Sequence, residues 1–157
     1  PVKCGYKNPM MLGIDRWLGI LACYASASRD FVVVDAGTAM TIDVVKANGL
    51  HLGGYICPGQ ALLRNSLNSV VQKLRVSALQ KCREGSAPVS TEEAILRGCL
   101  MSSVALIERI CNEEPRDLYI TGGDAMSLLG ELSLEANYVE DLVLNGLSVT
   151  GLVFEVF

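Results

Sequence analysis

The stretch Phe31-Val32-Val33-Val34-Asp35-Ala36-Gly37-Thr38-Ala39-Met40-Thr41-Ile42-Asp43-Val44-Val45 decides the fold. Phe31 to Val34 is a short unbroken apolar run, the pattern of a strand buried on both faces. Ala36-Gly37-Thr38 supplies a tight turn, and Met40 to Val45, rich in β-branched residues, makes a second strand. Asn48-Gly49 is a strong hairpin signal, so Leu50 to Cys57 reads as a third strand and the whole as a three-strand meander.

Helices flank the meander. Upstream, Asn8-Pro9 is a cap followed by proline at the first helical position, and Gly13-Ile14-Asp15 offers a second start with an aspartate near the positive end of the dipole. Leu18, Leu21, Ala22 and Ala25 recur at helical spacing, which predicts a helix from Asp15 to about Ala27, ended by Arg29-Asp30. Downstream, Pro58-Gly59 opens a helix from Gln60 to about Val71. Gly85 to Ser90 reads as a mobile loop, and Ser90 or Thr91 with Glu93 forms an approximate capping box for a helix running to about Cys111. Asp117 to Thr121 is a strand ending at Gly122-Gly123-Asp124, followed by a helix from Ala125 to Leu132. Tyr138 marks a short edge pairing, and Asp141 caps a last helix through Leu144, Leu147, Leu152 and Phe154. The expected fold is α/β, a mixed sheet with flanking helices.

The 157 residues suit one domain around one core, and half of them are apolar, which excludes a disordered chain. A net charge of -4 without a Lys/Arg run leaves no electrostatic footprint for nucleic acid or an anionic membrane. Trp17 to Ser28 is too short and too broken to span a bilayer, and no signal-peptide pattern opens the chain, so a cytoplasmic location is expected. Six cysteines without a CxxC pair predict reduced thiols and no zinc site.

Four clusters bear on chemistry. Asp35 leaves the end of a buried strand beside Gly37, Thr38, Ala39 and Thr41; this suits a phosphate with its cation, and equally a polar hairpin turn closed by an aspartate. Asp15 beside Arg16, with Tyr6, Asn8 and Gly13 nearby, reads either as a general base with an anion-orienting arginine or as a capping carboxylate with a solvated neighbour. Gly53 to Gly59 allows a close backbone approach to a ligand or a bent edge strand, and His51, the only histidine, reads as structural because no second metal ligand sits at a useful spacing. Thr121-Gly122-Gly123-Asp124 is a strand-to-helix turn whose amides would face a nucleotide, and such turns are common in α/β folds.

In this order, Tyr6-x-Asn8-Pro9-x-x-Leu12-Gly13-x-Asp15-Arg16, Asp35-x-Gly37-Thr38-Ala39-x-Thr41-x-Asp43, His51-x-Gly53-Gly54-x-Ile56-x-Pro58-Gly59, Thr91-x-x-Ala94-Ile95 and Thr121-Gly122-Gly123 closely resemble type III pantothenate kinases, the family that includes Bvg accessory factor proteins. The resemblance implies one lobe of the acetate and sugar kinase, Hsp70 and actin (ribonuclease H-like) fold, with residues 1–157 as a single domain equivalent to the second, carboxy-terminal lobe. It implies phosphorylation of pantothenate to 4'-phosphopantothenate, the first step of coenzyme A synthesis, using ATP with Mg2+ and a monovalent cation (K+ or NH4+). Asp15 is then the general base, with Tyr6, Gly13 and Arg16 around pantothenate and Thr91 reaching the neighbouring subunit's site in a homodimer. Gly37, Thr38, Ala39, Gly122 and Gly123 flank the nucleotide, and Asp35 serves the monovalent cation.

The family's Asp-x-Gly-Asn-Thr phosphate loop does not occur ahead of Pro1 in this sequence. Little or no turnover is therefore expected of these residues alone, the amino-terminal lobe coming from a missing segment or a separate chain. A non-catalytic binding or regulatory protein of the Bvg accessory type is the alternative; a sugar kinase fits the Asp15-Arg16 and Gly53 to Gly59 segments less well.

Overall fold

The computed structural model describes residues 2–70 and 87–150, without the side chains of 68–70. Cys82, Val71 at the end of one expected helix, Leu152 and Phe154 at the end of another, and Gly85 and Ser86 of the expected loop lie outside the described residues. The elements in chain order are a single 3-10 turn (Pro9–Met11), α1 (Ile14–Tyr24), β1 (Phe31–Ala36), β2 (Ala39–Val45), β3 (His51–Pro58), α2 (Gln60–Val70), α3 (Thr91–Cys111), β4 (Asp117–Thr121), α4 (Ala125–Leu129), β5 (Asn137–Tyr138) and α5 (Leu142–Val149).

The five strands form one mixed sheet in the order β3-β2-β1-β4-β5, with the meander antiparallel and β4 and β5 parallel to β1 and β4. β1 is therefore central, which is why its apolar run is unbroken. Phe31 and Val33 pack with Ile20, Cys23, Val45 and Leu142 under α1 and α5. Val32, Val34 and Ala36 face the opposite layer with Val104, Ile107 and Leu128 of α3 and α4. Phe31, Val32 and Val34 are fully buried, each contributing roughly 1.5–3 kcal/mol of transfer free energy.

The expected meander, the β4 strand and the Tyr138 edge pairing are all present. The differences lie at helix ends. Asn8 caps only a 3-10 turn, its side chain accepting from the Met10 amide, and Leu12 returns to extended backbone before α1. α1 ends at Tyr24 and α4 at Leu129, both earlier than the apolar spacing suggested. Ser90 caps α3 by accepting from the Glu93 amide, whereas the Asp141 side chain makes no capping bond to α5. α1 and α5 cross closely: a Cβ on Gly146 would stand 2.2 Å from the Leu18 carbonyl oxygen.

Two local devices shape the sheet edge. Register shifts between Val44, opposite Gly53, and Val45, opposite His51, so Leu52 is an extra residue and Gly53 takes a φ of 114°. The bulge resets strand alternation. His51 and Gly54, three apart, consequently both face the side of the sheet that carries Asp43. The N-terminal stretch then lies along β3, with the Lys3 amide donating to Gly49 and the His51 amide donating to Lys3.

Candidate functional site

α1 begins and β1 ends at the same end of the sheet, which brings Asp15 and Asp35 together. Asp35 is half-buried; burial pushes its carboxyl up, and the neighbouring Asp15 charge pushes it further. Its register partners are Thr41 on β2 and Thr121 on β4. Glycines bracket the turn that follows. A Cβ on Gly59 would meet the Gly37 carbonyl oxygen at 2.0 Å, and one on Gly122 would meet Ala36 backbone at 2.6 Å and Asp35 Oδ1 at 2.7 Å. The Gly59 amide donates to Thr38 and the Asp124 amide to Ala36, tying three chain segments around an exposed turn at Thr38 and Ala39.

Asp15 is exposed in the first turn of α1, its Oδ1 only 2.5 Å from where a Gly13 Cβ would stand. The carboxylate thus folds back over Gly13, at the end of the helix where negative charge is favoured. Arg16, the next residue, is not a solvated neighbour. It is buried, donating from Nε to Asp43 Oδ2 at 2.8 Å, from Nη2 to Asp43 Oδ1 at 2.6 Å and from Nη1 to the Tyr6 hydroxyl at 2.7 Å. Its charge is largely matched within the protein, which weakens the expectation of a lone anion-orienting cation; two guanidinium N–H groups remain uncommitted by these bonds.

Asp43 closes the second motif, but sequence reasoning gave it no role. It sits 2% exposed in β2, and His51 Nε2 lies 2.8 Å from its Oδ1. Although burial acts to raise its pKa, hydrogen bonds from His51 and Arg16 outweigh this and hold the carboxyl below the usual range. A charged residue inside a β-branched strand was the available signal. The structural reading of His51 agrees with its complete burial.

The remaining expected residues are dispersed. Thr91 is exposed at the start of α3, and among the described residues no hydrogen bond joins it to the Tyr6–Arg16 cluster. Gly123 is exposed, with open space where a Cβ would go. A cavity of about 530 Å3 is lined by Tyr6, Gly53, Gly54 and Arg116, and an apolar one of about 500 Å3 by Pro9, Leu12, Ile14 and Trp17. Neither is lined by Asp35 or residues 37–39.

Asp35 fits a monovalent cation. Among the described residues its carboxylate has no hydrogen-bond or ion-pair partner, it is partly desolvated, and hydroxyl-bearing Thr41 and Thr121 are its neighbours in register. Such a carboxylate is stabilised by any cation that reaches it.

A family model described as type III pantothenate kinase matches residues 1–113. The chain belongs to the type III pantothenate kinase family. The type III pantothenate kinase of Marinomonas sp. (strain MWYL1) is 39% identical over 151 residues, covering 96% of this chain and 62% of that protein. That of Ectopseudomonas mendocina (strain ymp) is 39% identical over 160 residues, covering 94% and 63%. This type III pantothenate kinase family chain therefore spans a little under two thirds of those relatives.

A solved structure described as a conserved Baf family transcriptional activator from Campylobacter jejuni superposes with a TM-score of 0.68 at 33% identity, over 88% of this chain and 62% of that one. The activator of 2-hydroxyisocaproyl-CoA dehydratase from Clostridium difficile, solved with bound ADPNP, shares the fold at a TM-score of 0.50 and 11% identity. The expected actin- and Hsp70-like architecture is thereby borne out.

Proposed function

We propose that the protein phosphorylates the primary hydroxyl of pantothenate from ATP, giving 4'-phosphopantothenate, and that these residues supply the substrate side of the site and one phosphate loop. Family membership supports the reaction; the observation that carries the site is the convergence of Asp15 and Asp35 at one end of the sheet. Asp15, exposed at the start of α1, orients the hydroxyl and accepts its proton late, since a carboxylate is a weak base for an alcohol. Gly37, Thr38 and Ala39 cradle phosphate oxygens, and Gly122 and Gly123 border the nucleotide. Tyr6, Gly13 and Arg16 border pantothenate. Mg2+ accompanying ATP, and K+ or NH4+ held at Asp35, would offset phosphate charge during in-line transfer. Positioning then accounts for most of the rate.

A cytoplasmic homodimer in which Thr91 reaches the second subunit's pantothenate belongs to the same reading, as does the equivalence of this chain to the second lobe of a two-lobe kinase. A non-catalytic regulatory protein on the same fold is the second reading, supported by the description of the Campylobacter jejuni neighbour.

The test is ADP release by the intact protein with pantothenate, Mg2+ and K+. The proposal expects release that needs both pantothenate and K+. Pantothenate binding without release would favour the regulatory reading.

A further inference from the structure

Asp43, His51, Arg16 and Tyr6 form one continuous network that the proposed chemistry leaves unexplained. The Asp43 carboxylate is ionised and accepts only, so the His51 Nε2 facing it must carry a proton. The opposite nitrogen, His51 Nδ1, is buried with no hydrogen-bond partner among the described residues. Leaving one nitrogen of a buried ring unsatisfied costs stability. The carboxylate also receives two bonds from Arg16, whose third bond goes to the Tyr6 hydroxyl. The Tyr6 ring stacks on His51 with centroids 5.8 Å apart and 21° between planes, and the Arg16 guanidinium lies 5.5 Å from the Tyr6 centroid. Tyr6 is therefore held at both its face and its hydroxyl.

The backbone is shaped to permit this contact. A Cβ on Gly54 would stand 2.6 Å from Asp43 Oδ1 and 2.7 Å from Arg16 Nη2, and one on Gly5 would stand 1.9 Å from the His51 carbonyl oxygen. The Leu52 bulge turns His51 inward. With Arg16 donating to the Tyr6 oxygen, the phenolic proton is left to point away from the network as a donor.

We propose that Asp43 and His51 are positioning residues for the pantothenate side of the site: His51 orients the Asp43 carboxylate, Asp43 fixes Arg16, and Arg16 with the His51 ring sets the Tyr6 hydroxyl as a hydrogen-bond donor to substrate. This rests on the pantothenate reading above for the identity of the substrate, and on the geometry alone for the aim of Tyr6.

The test compares His51→Gln, whose amide nitrogen reaches the place of Nε2, with His51→Asn, whose amide falls near Nδ1 instead. His51→Phe, which keeps the ring stack and loses the donor, replaces His51→Asn if that variant does not fold. Two readouts are taken on the intact protein: KM and kcat for pantothenate and ATP, and the 19F line of Tyr6 in 3-fluorotyrosine-labelled protein, assigned with Tyr6→Phe.

The proposal expects His51→Asn to raise the pantothenate KM roughly tenfold, the scale of one charge-assisted hydrogen bond losing its aim, with ATP KM unmoved and the Tyr6 line shifted or broadened. His51→Gln should recover both readouts. An unmoved Tyr6 line in His51→Asn, equal changes in the two KM values, or a Gln variant no better than Asn would overturn it. A wild type without pantothenate turnover would sink the substrate reading only; the Tyr6 line in the two variants would still decide the positioning claim.

Discussion

Arg16 on α1 holds Asp43 on β2 through two charge-assisted hydrogen bonds, of 2.8 Å and 2.6 Å, between side chains almost fully withdrawn from water. The pair clamps the first helix to the sheet one residue away from the proposed base.

Removing one partner of a buried ion pair leaves the other charge uncompensated. Asp43→Asn is expected to cost about 3–5 kcal/mol of unfolding free energy, measured by urea denaturation at neutral pH. The sign with pH follows from the depressed carboxyl: its contribution is fully present above the ordinary aspartate pKa and is lost as pH falls through the lower folded value, so wild type and Asp43→Asn should converge in acid.

Asp35 has the opposite sign. Its folded pKa is raised, so the native state binds the proton more tightly than the unfolded chain. Stability falls as pH rises from the ordinary aspartate value through the folded one and stays reduced above it. Asp35→Asn is expected to raise Tm at pH 7 while abolishing stabilisation by added KCl over choline chloride at equal ionic strength. A variant that melts lower than wild type, or still responds specifically to K+, would count against the cation assignment.

The adjacent glycines after β4 should behave differently. Gly122 has a φ of 96° and no room for a Cβ, so Gly122→Ala should destabilise by about 1–3 kcal/mol. Gly123 faces open space without positive φ, and Gly123→Ala should change stability by less than about 1 kcal/mol. Thermal melts of the two variants side by side check this.

Thiol chemistry reports on the core. Burial pushes the Cys23 thiol up to about 12 and Cys111 up to about 11, so both should resist iodoacetamide in the native protein at pH 8. Among the described cysteines, partly exposed Cys4 should be carboxamidomethylated first, as peptide mass spectrometry of a time course would show.

Residue pattern alone carried the strands because their signals are local: the unbroken Phe31 to Val34 run, the Asn48-Gly49 turn and the β4 pattern each sit within a few residues. Helix ends were less readable: α1 ends at Tyr24 although Ala27, beyond it, still packs against the core, so apolar spacing runs past the helix itself. The Asp43 network was hidden for a different reason. Arg16 and Asp43 are 27 residues apart, and their meeting depends on strand parity, while the His51 contact depends on a one-residue bulge, and neither is written in a motif. Asp15 and Asp35 were each visible, but their mutual repulsion appears only once α1 and β1 are placed together.

The most direct measurement is the rate of pantothenate phosphorylation by the intact protein and its Asp15→Asn variant, at saturating ATP, Mg2+ and K+. If Asp15 orients the hydroxyl and takes its proton, kcat should fall on the order of 10²–10⁴-fold while pantothenate still binds. An unchanged kcat in Asp15→Asn would contradict the assignment of this carboxylate as the base.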